Sequence, residues 1–370
     1  MAKNILIIDD SALMRRVISD IIEGDKRFHV IGSAINGLDG LNMLQANCDK
    51  IDAVLLDINM PRMNGLEFLA EIKKQNIKTT VIVVSAITTE DAKETILALE
   101  LGAFDLITKP EDVEELRSDA FSKKLLDCLE VATKLRWTDP KKKIDTNVTK
   151  EPEKEDTKKV EKEKPLHVKQ VKIPKKGMDK LVAIACSTGG PKALHSIIPK
   201  LPTDLDAGVV IVQHMPEGFT KSLAERLNSL SDVPVKEAED GDIVKNGRVY
   251  IAKGGMQLRI VQDKSGEHVI KLSLEQPRHG LMPCADIMYE SLADTDYDEI
   301  TCVVLTGMGS DGSAGIKKLS NKKNIHVIAQ DKETCIVYGM PRMVRKTGLV
   351  DQVEALQDVS DAIIKNVGVR

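Results

Sequence analysis

The chain has 370 residues, enough for two domains of about 100–200 residues each plus connecting material. Its net charge of −4 offers no basic surface for nucleic acid or an anionic membrane, and no apolar run is long enough to span a bilayer. Six scattered cysteines (Cys48, Cys128, Cys186, Cys284, Cys302, Cys335) lack metal-binding spacing and read as reduced, mostly buried thiols, and the polar start Met1-Ala2-Lys3-Asn4 is not a signal peptide, so a cytoplasmic protein is expected.

Lys3 to Ile8 is an apolar strand ending in Asp9-Asp10, after which Ser11 opens an amphipathic helix carrying Leu13, Val17, Ile18, Ile21 and Ile22. Ile51 to Leu56 ends in Asp57, Val81 to Val84 ends in Ser85, and Phe104 to Thr108 ends in Lys109-Pro110. Helical patterns lie between them, as in 65–74 and 91–101, so the segment alternates strand and helix and predicts a doubly wound parallel sheet. Polar residues at the carboxyl ends of such strands converge on one crevice, here Asp9, Asp10, Asp57, Ser85 and Lys109. Carboxylates that close repel one another unless a cation sits among them, and Mg²⁺ fits because it takes oxygen ligands and keeps waters for an incoming phosphoryl group. Asp57 is then placed to attack phosphorus, with Lys109 neutralising charge; a single strand-end aspartate would be a helix cap, but five polar residues in this order are not.

Asp9-Asp10-Ser11-Ala12-Leu13-Met14-Arg15, Asp57-Ile58-Asn59-Met60-Pro61 with Gly65, Ser85-Ala86 and Lys109-Pro110 resemble the response-regulator receiver domain over residues 1–125. The resemblance implies phosphorylation of Asp57 by a histidine kinase, Mg²⁺ on Asp9, Asp10 and Asp57 with the peptide carbonyl of Asn59, and switch roles for Ser85 and Lys109. It departs at Leu106, where receivers often place an aromatic three residues before the lysine. Residues 126–177 read as a helix end and then a flexible Lys/Glu-rich tether, from Lys141-Lys142-Lys143 through Glu151 to Lys159, with little to bury. Val168 to Ile173 is the one stretch in it with the character of a docking segment.

Residues 178–370 form the second domain. Leu181 to Ala185 suits a strand buried on both faces, and Ser187-Thr188-Gly189-Gly190-Pro191 suits a tight turn into a helix starting near Pro191. On these residues alone a reactive serine, a capping serine and a phosphate-cradling turn fit equally well. Further strand-like runs follow at 208–212, 249–252, 300–305 and 325–328, with helical patterns at 218–230 and 284–292. Arg248 to Arg259 with His268 to Leu274 reads as an inserted hairpin turning at Gly254-Gly255, giving a second doubly wound sheet with a β insertion. The strand-end rule brings Ser187, His214 and Asp311 to one edge. Serine needs a base, and a histidine base needs a carboxylate to fix its tautomer, so the three together favour catalysis over separate structural roles. Glycines around Met308 allow backbone amides to approach an oxyanion.

Ser187 to Pro191, Gln213-His214-Met215-Pro216, Gly307-Met308-Gly309-Ser310-Asp311-Gly312, Ala329-Gln330-Asp331 and Tyr338-Gly339-Met340-Pro341-Arg342 are similar to the chemotaxis protein-glutamate methylesterases over residues 180–355. This resemblance implies Ser187 as nucleophile, His214 as general base and acid, Asp311 as orienting carboxylate and the Met308 amide as oxyanion donor, with no cofactor in the catalytic domain. The implied substrates are glutamyl methyl esters, and glutamines, on the cytoplasmic helices of chemoreceptors. The chain departs at Leu281-Met282-Pro283-Cys284-Ala285-Asp286, where the family commonly has Arg-Pro-Ser-Val-Asp. Two other classes compete. A non-catalytic nucleotide- or partner-binding module would lack a P-loop lysine and leave His214 and Asp311 unused, and a DNA-binding output would lack a basic recognition helix.

Overall fold

The computed structural model describes residues 2–86, 88–110, 118–134 and 179–370. The first domain runs β1 (Lys3–Ile8), α1 (Ala12–Glu23), β2 (Phe28–Ala34), α2 (Gly37–Ala46), β3 (Ala53–Leu56), α3 (Gly65–Lys74), β4 (Val81–Ser85), α4 (Thr89–Leu101), β5 (Asp105–Thr108) and α5 (Asp119–Lys134). Its strands pair in parallel in the order β2-β1-β3-β4-β5. Ile5 to Ile8 and Val81 to Val84 are buried on both faces of this sheet, which is why their sequence shows no polar alternation. Ser11 caps α1, its Oγ accepting from the Met14 amide at 3.3 Å, so the chain reverses directly after Asp9-Asp10 and leaves both at the strand end. Helix α5 crosses residue 125 and continues to Lys134, its stripe of Phe121, Leu125, Leu129 and Ala132 buried in the first domain's core. The expected tether, including Lys141 to Lys143 and Val168 to Ile173, lies outside the described residues.

The second domain contains β6 (Lys180–Cys186), α6 (Gly190–Ile197), β7 (Gly208–Gln213), α7 (Phe219–Leu230), β8 (Val235–Glu237), β9 (Val249–Ile251), β10 (Gln257–Gln262), β11 (His268–Ser273), α8 (Ala285–Ser291), β12 (Glu299–Val304), α9 (Ser313–Leu319), β13 (Ile325–Gln330), α10 (Met340–Lys346), β14 (Gln352–Glu354) and α11 (Val359–Val367). Among the described residues its main sheet is parallel, in the order β14-β13-β12-β6-β7-β9-β8. Every residue of β6 and β7 is buried, so their carboxyl ends, beside the switch in strand order, form the rim on which Ser187 and His214 stand.

The hairpin insertion is present but lies further along the chain than the glycine pair suggested. Its arms are β10 and β11, paired antiparallel, and the turn is made at Asp263 to Glu267, where Asp263 Oδ1 accepts from the Ser265 and Glu267 amides and Gly266 takes φ 90°. Val249 to Ile251 instead joins the parallel sheet as β9, and Gly254-Gly255 is the passage from sheet to hairpin. A Cβ at Gly254 would sit 2.3 Å from the Pro216 carbonyl oxygen, so that glycine serves close backbone approach rather than a hairpin turn. No described helix is long and apolar enough to cross a membrane.

Candidate active site

In the first domain the strand ends bring Asp9, Asp10 and Asp57 together, one carboxylate oxygen from each lying within 4.8 Å of the others. Asp9 and Asp57 are buried, and Lys109 Nζ bridges them, 2.9 Å from Asp9 Oδ2 and 2.7 Å from Asp57 Oδ2. Burial pushes the Asp57 carboxyl up to about 6 against the pull of the Lys109 charge, and Asp9 adds repulsion in the same direction as burial. Three clustered carboxylates with one lysine between two of them keep a net negative charge, which fits a hard divalent cation. Ser85 closes β4, its Oγ accepting from Thr95 Oγ1 of α4 at 2.8 Å, and Leu106 is buried on the adjacent strand.

In the second domain Ser187 follows β6 and His214 follows β7. Their loops are fastened to one another: the His214 amide donates to the Cys186 carbonyl at 3.1 Å, and Gln213 Nε2 donates to the carbonyls of Ser187 at 3.1 Å and His214 at 3.2 Å. The space beside Gln213 explains Gly190, since a Cβ there would lie 1.9 Å from Gln213 Oε1. The Ser187 amide donates to the Thr306 carbonyl at 3.1 Å, which ties the serine turn to the loop after β12. That loop carries Met308, half exposed, between Gly307 and a left-handed Gly309. Ser187, His214 and Met308 line one cavity of about 600 Å³.

Asp311 stands behind this cavity, buried, and holds His214 through a 2.8 Å contact from Nε2 to Oδ2. Four further donors point at the same carboxylate. The Ala285 amide meets Oδ2 at 2.6 Å, while Oδ1 accepts from the Asp286 amide at 2.9 Å, the Gly312 amide at 3.0 Å and the Cys284 thiol at 3.1 Å. Burial acts to raise this carboxyl, but the His214 hydrogen bond and charge, with the amides of Asp286 and Ala285, outweigh it and hold Asp311 well below the usual carboxylate range. An imidazole whose Nε2 faces a fixed anion presents Nδ1 to the cavity as a proton acceptor.

The far wall of the cavity belongs to the first domain. Phe104, Asp105 to Ile107 on β5, and Lys123, Lys124, Asp127 and Cys128 on α5 face Ser187 across it. Thr188 Oγ1, next to the serine, donates to Asp105 Oδ2 at 2.5 Å; burial pushes that carboxyl up, against the hydrogen bonds from Thr188 and the Leu106 amide. Helix α4 docks beside it. Glu100 accepts from Arg226 through both oxygens, at 2.7 and 2.9 Å, and lies 2.8 Å from His195 Nε2. Sequence reading missed Asp105, Thr188 and Glu100 as a contact set; nothing in strand-end polarity signals which side chains of two domains will meet.

Residues 182–363 match the CheB methylesterase family and residues 5–120 the response regulator receiver domain. The protein-glutamate methylesterase/protein-glutamine glutaminase of Bacillus subtilis is 41% identical over 97% of this chain and 97% of its own length. That of Geobacillus kaustophilus is 39% identical over 98% of each. The crystal structure of the Thermotoga maritima CheB methylesterase catalytic domain is 43% identical, covers 50% of this chain and 97% of that chain, and has a TM-score of 0.48. Similarity that runs through both domains, at this identity, makes the chain a member of the protein-glutamate methylesterase/protein-glutamine glutaminase family, hydrolases here fused to a receiver domain.

Proposed function

We propose that the protein hydrolyses glutamyl methyl esters on the cytoplasmic helices of chemoreceptors, in chemotaxis adaptation, under control of phosphorylation at Asp57. Ser187 Oγ attacks the ester carbonyl as its proton passes to His214 Nδ1, and the Met308 amide receives the developing oxyanion. Methanol leaves with the proton from His214; water, deprotonated by His214, then cleaves the acyl-enzyme to give the glutamate carboxylate. A glutamine side chain follows the same route with ammonia as leaving group. In the receiver, Asp9, Asp10 and Asp57 are the residues to hold Mg²⁺, which supplies charge neutralisation for an entering phosphoryl group. Asp57 is the nucleophile toward phosphorus, Lys109 compensates charge, and a histidine kinase is the donor.

The observation that carries the regulatory half is the cavity shared by Ser187 and the receiver. A folded receptor helix cannot reach the serine while β5 and α5 cover it. Phosphorylation recruits the Ser85 hydroxyl toward Asp57, where Lys109 already stands. Ser85 is bonded to Thr95 of α4, and the same helix holds Arg226 and His195 through Glu100, so a shift at Ser85 loosens the docked face. Deleting residues 1–140 is expected to raise receptor demethylation severalfold to about a hundredfold over the unphosphorylated parent, the range set by couplings of about 1–3 kcal/mol. A truncated protein no faster than the parent would exclude inhibition by the receiver and leave recruitment as the role of phosphorylation.

A second expected outcome isolates the phosphosite. The receiver takes up phosphate from a small-molecule donor only with Mg²⁺ present, because its three clustered carboxylates need a cation to tolerate an incoming phosphoryl group, and Asp57→Asn abolishes uptake. Phosphate incorporation measured at the parent rate in the Asn variant would move the site elsewhere.

A further inference from the structure

We infer that Cys284 is a positioning residue for the hydrolase reaction, its thiol donating to Asp311 and setting how much of that carboxylate's charge reaches His214. The inference rests on the reading of Asp311 as the orienting carboxylate. Cys284 is fully buried at the junction between the hairpin insertion and α8, and its Sγ lies 3.1 Å from Asp311 Oδ1. Burial, with the Asp311 charge beside it, pushes this thiol up to about 12, so at neutral pH it keeps its proton and acts as donor, not as a competing anion.

The thiol does not swing freely. The Cys284 amide donates to Gln257 Oε1 at 2.8 Å, and Gln257 Nε2 donates to the Leu281 carbonyl at 2.9 Å, so a buried glutamine on β10 clamps the loop that carries the cysteine. A line of contacts therefore runs from the hairpin through Gln257, Cys284 and Asp311 to His214 Nε2. The inserted hairpin thus supports the far end of the catalytic dyad. The titratable groups facing Asp311 are His214, Cys284, Asp286 and Tyr289, with Arg278 acting on Asp286 from the other side.

The chemistry of the donor gives a readout that packing alone would not. A thiol is a weak donor and a hydroxyl of nearly the same shape is a stronger one. Cys284→Ser draws more charge from Asp311, which makes His214 easier to deprotonate and moves the acid limb of kcat/KM to lower pH. Cys284→Ala removes a donor, leaves more charge facing His214 and moves that limb to higher pH, by about half a unit in each case. Cys284→Ala is also expected to lower kcat about tenfold at unchanged KM, the low end for a lost bond to a charged group, while Cys284→Ser stays within about twofold of the parent.

The test measures methanol release from a methyl-esterified chemoreceptor fragment by the full-length chain across pH, for the parent, Cys284→Ala, Cys284→Ser and Asp311→Asn. Opposite displacements of the acid limb in the alanine and serine variants, with activity kept by serine, are the expected result. Equal losses in both variants with the limb unmoved would reduce Cys284 to core packing and overturn the inference, as would an alanine variant matching the parent in rate and profile. Should alanine fail to fold, an unmoved limb in the serine variant overturns it alone. Asp311→Asn as active as the parent would instead bring down the reading of Asp311, and this inference with it.

Discussion

Ser187→Ala is expected to reduce methanol release from methylated receptor by at least about 10⁴-fold while the protein melts as the parent does. The serine sits at the end of a fully buried strand, on a turn fixed by Gln213 and Thr306, and opens into the same cavity as His214. The neighbouring Cys186 is the obvious rival nucleophile, and the pleat disposes of it. Its Sγ turns into the sheet, 3.8 Å from the Val212 carbonyl, and burial pushes its thiol far above the ordinary value, so it carries no thiolate at neutral pH. Cys186→Ala should therefore keep most of the activity. Labelling by a serine-directed fluorophosphonate gives a second measurement: it should mark the parent and the Cys186 variant and spare the Ser187 variant. A dead cysteine variant beside an active serine variant would reverse the assignment.

Both residues were distinguishable in the sequence because strand periodicity decides which of two adjacent side chains points out of a sheet end. The same rule made Asp9, Asp57, Ser85 and Lys109 legible, since each directly follows or closes an apolar run and parallel strands deliver their ends to one crevice. It does not reach side chains whose partners come from elsewhere. Thr188 and Asp105 are separated by 83 residues and Arg226 and Glu100 by 126, and nothing local marks them as bonded. Cys284 read as a buried small residue for the same reason: its environment is right, but the carboxylate it touches belongs to a loop that follows a different strand. The hairpin lies further along than its glycine pair suggests because Gly254 answers to the Pro216 backbone that passes against it, not to a turn. Short edge strands such as β8 and β14, three residues each, carry too little pattern to stand out.

Asp311→Asn is expected to lower kcat by about 10⁴-fold, the scale of a triad histidine held in the wrong tautomer. The amide is isosteric with the carboxylate, so the argument turns on which way it sits. The Oδ1 position faces three donors, from Cys284, Asp286 and Gly312, and the Oδ2 position faces the Ala285 amide and His214. Placing the amide oxygen against the three donors is the cheaper choice. The NH₂ group then points at His214 Nε2, which must accept, so the ring proton moves to Nδ1, the nitrogen proposed to take the serine proton, and that nitrogen can no longer act as base. The same substitution alters stability against acid. Because Asp311 titrates below its unfolded value of about 3.9, its carboxylate contributes stability that is fully present above about pH 4 and is lost as pH falls through the folded value. The Asn variant should thus be less stable than the parent at pH 7, and the gap should narrow as both are acidified. A variant that releases methanol at the parent rate, with the same pH profile, would show that the Asp311–His214 contact is structural and that the base is oriented by another group.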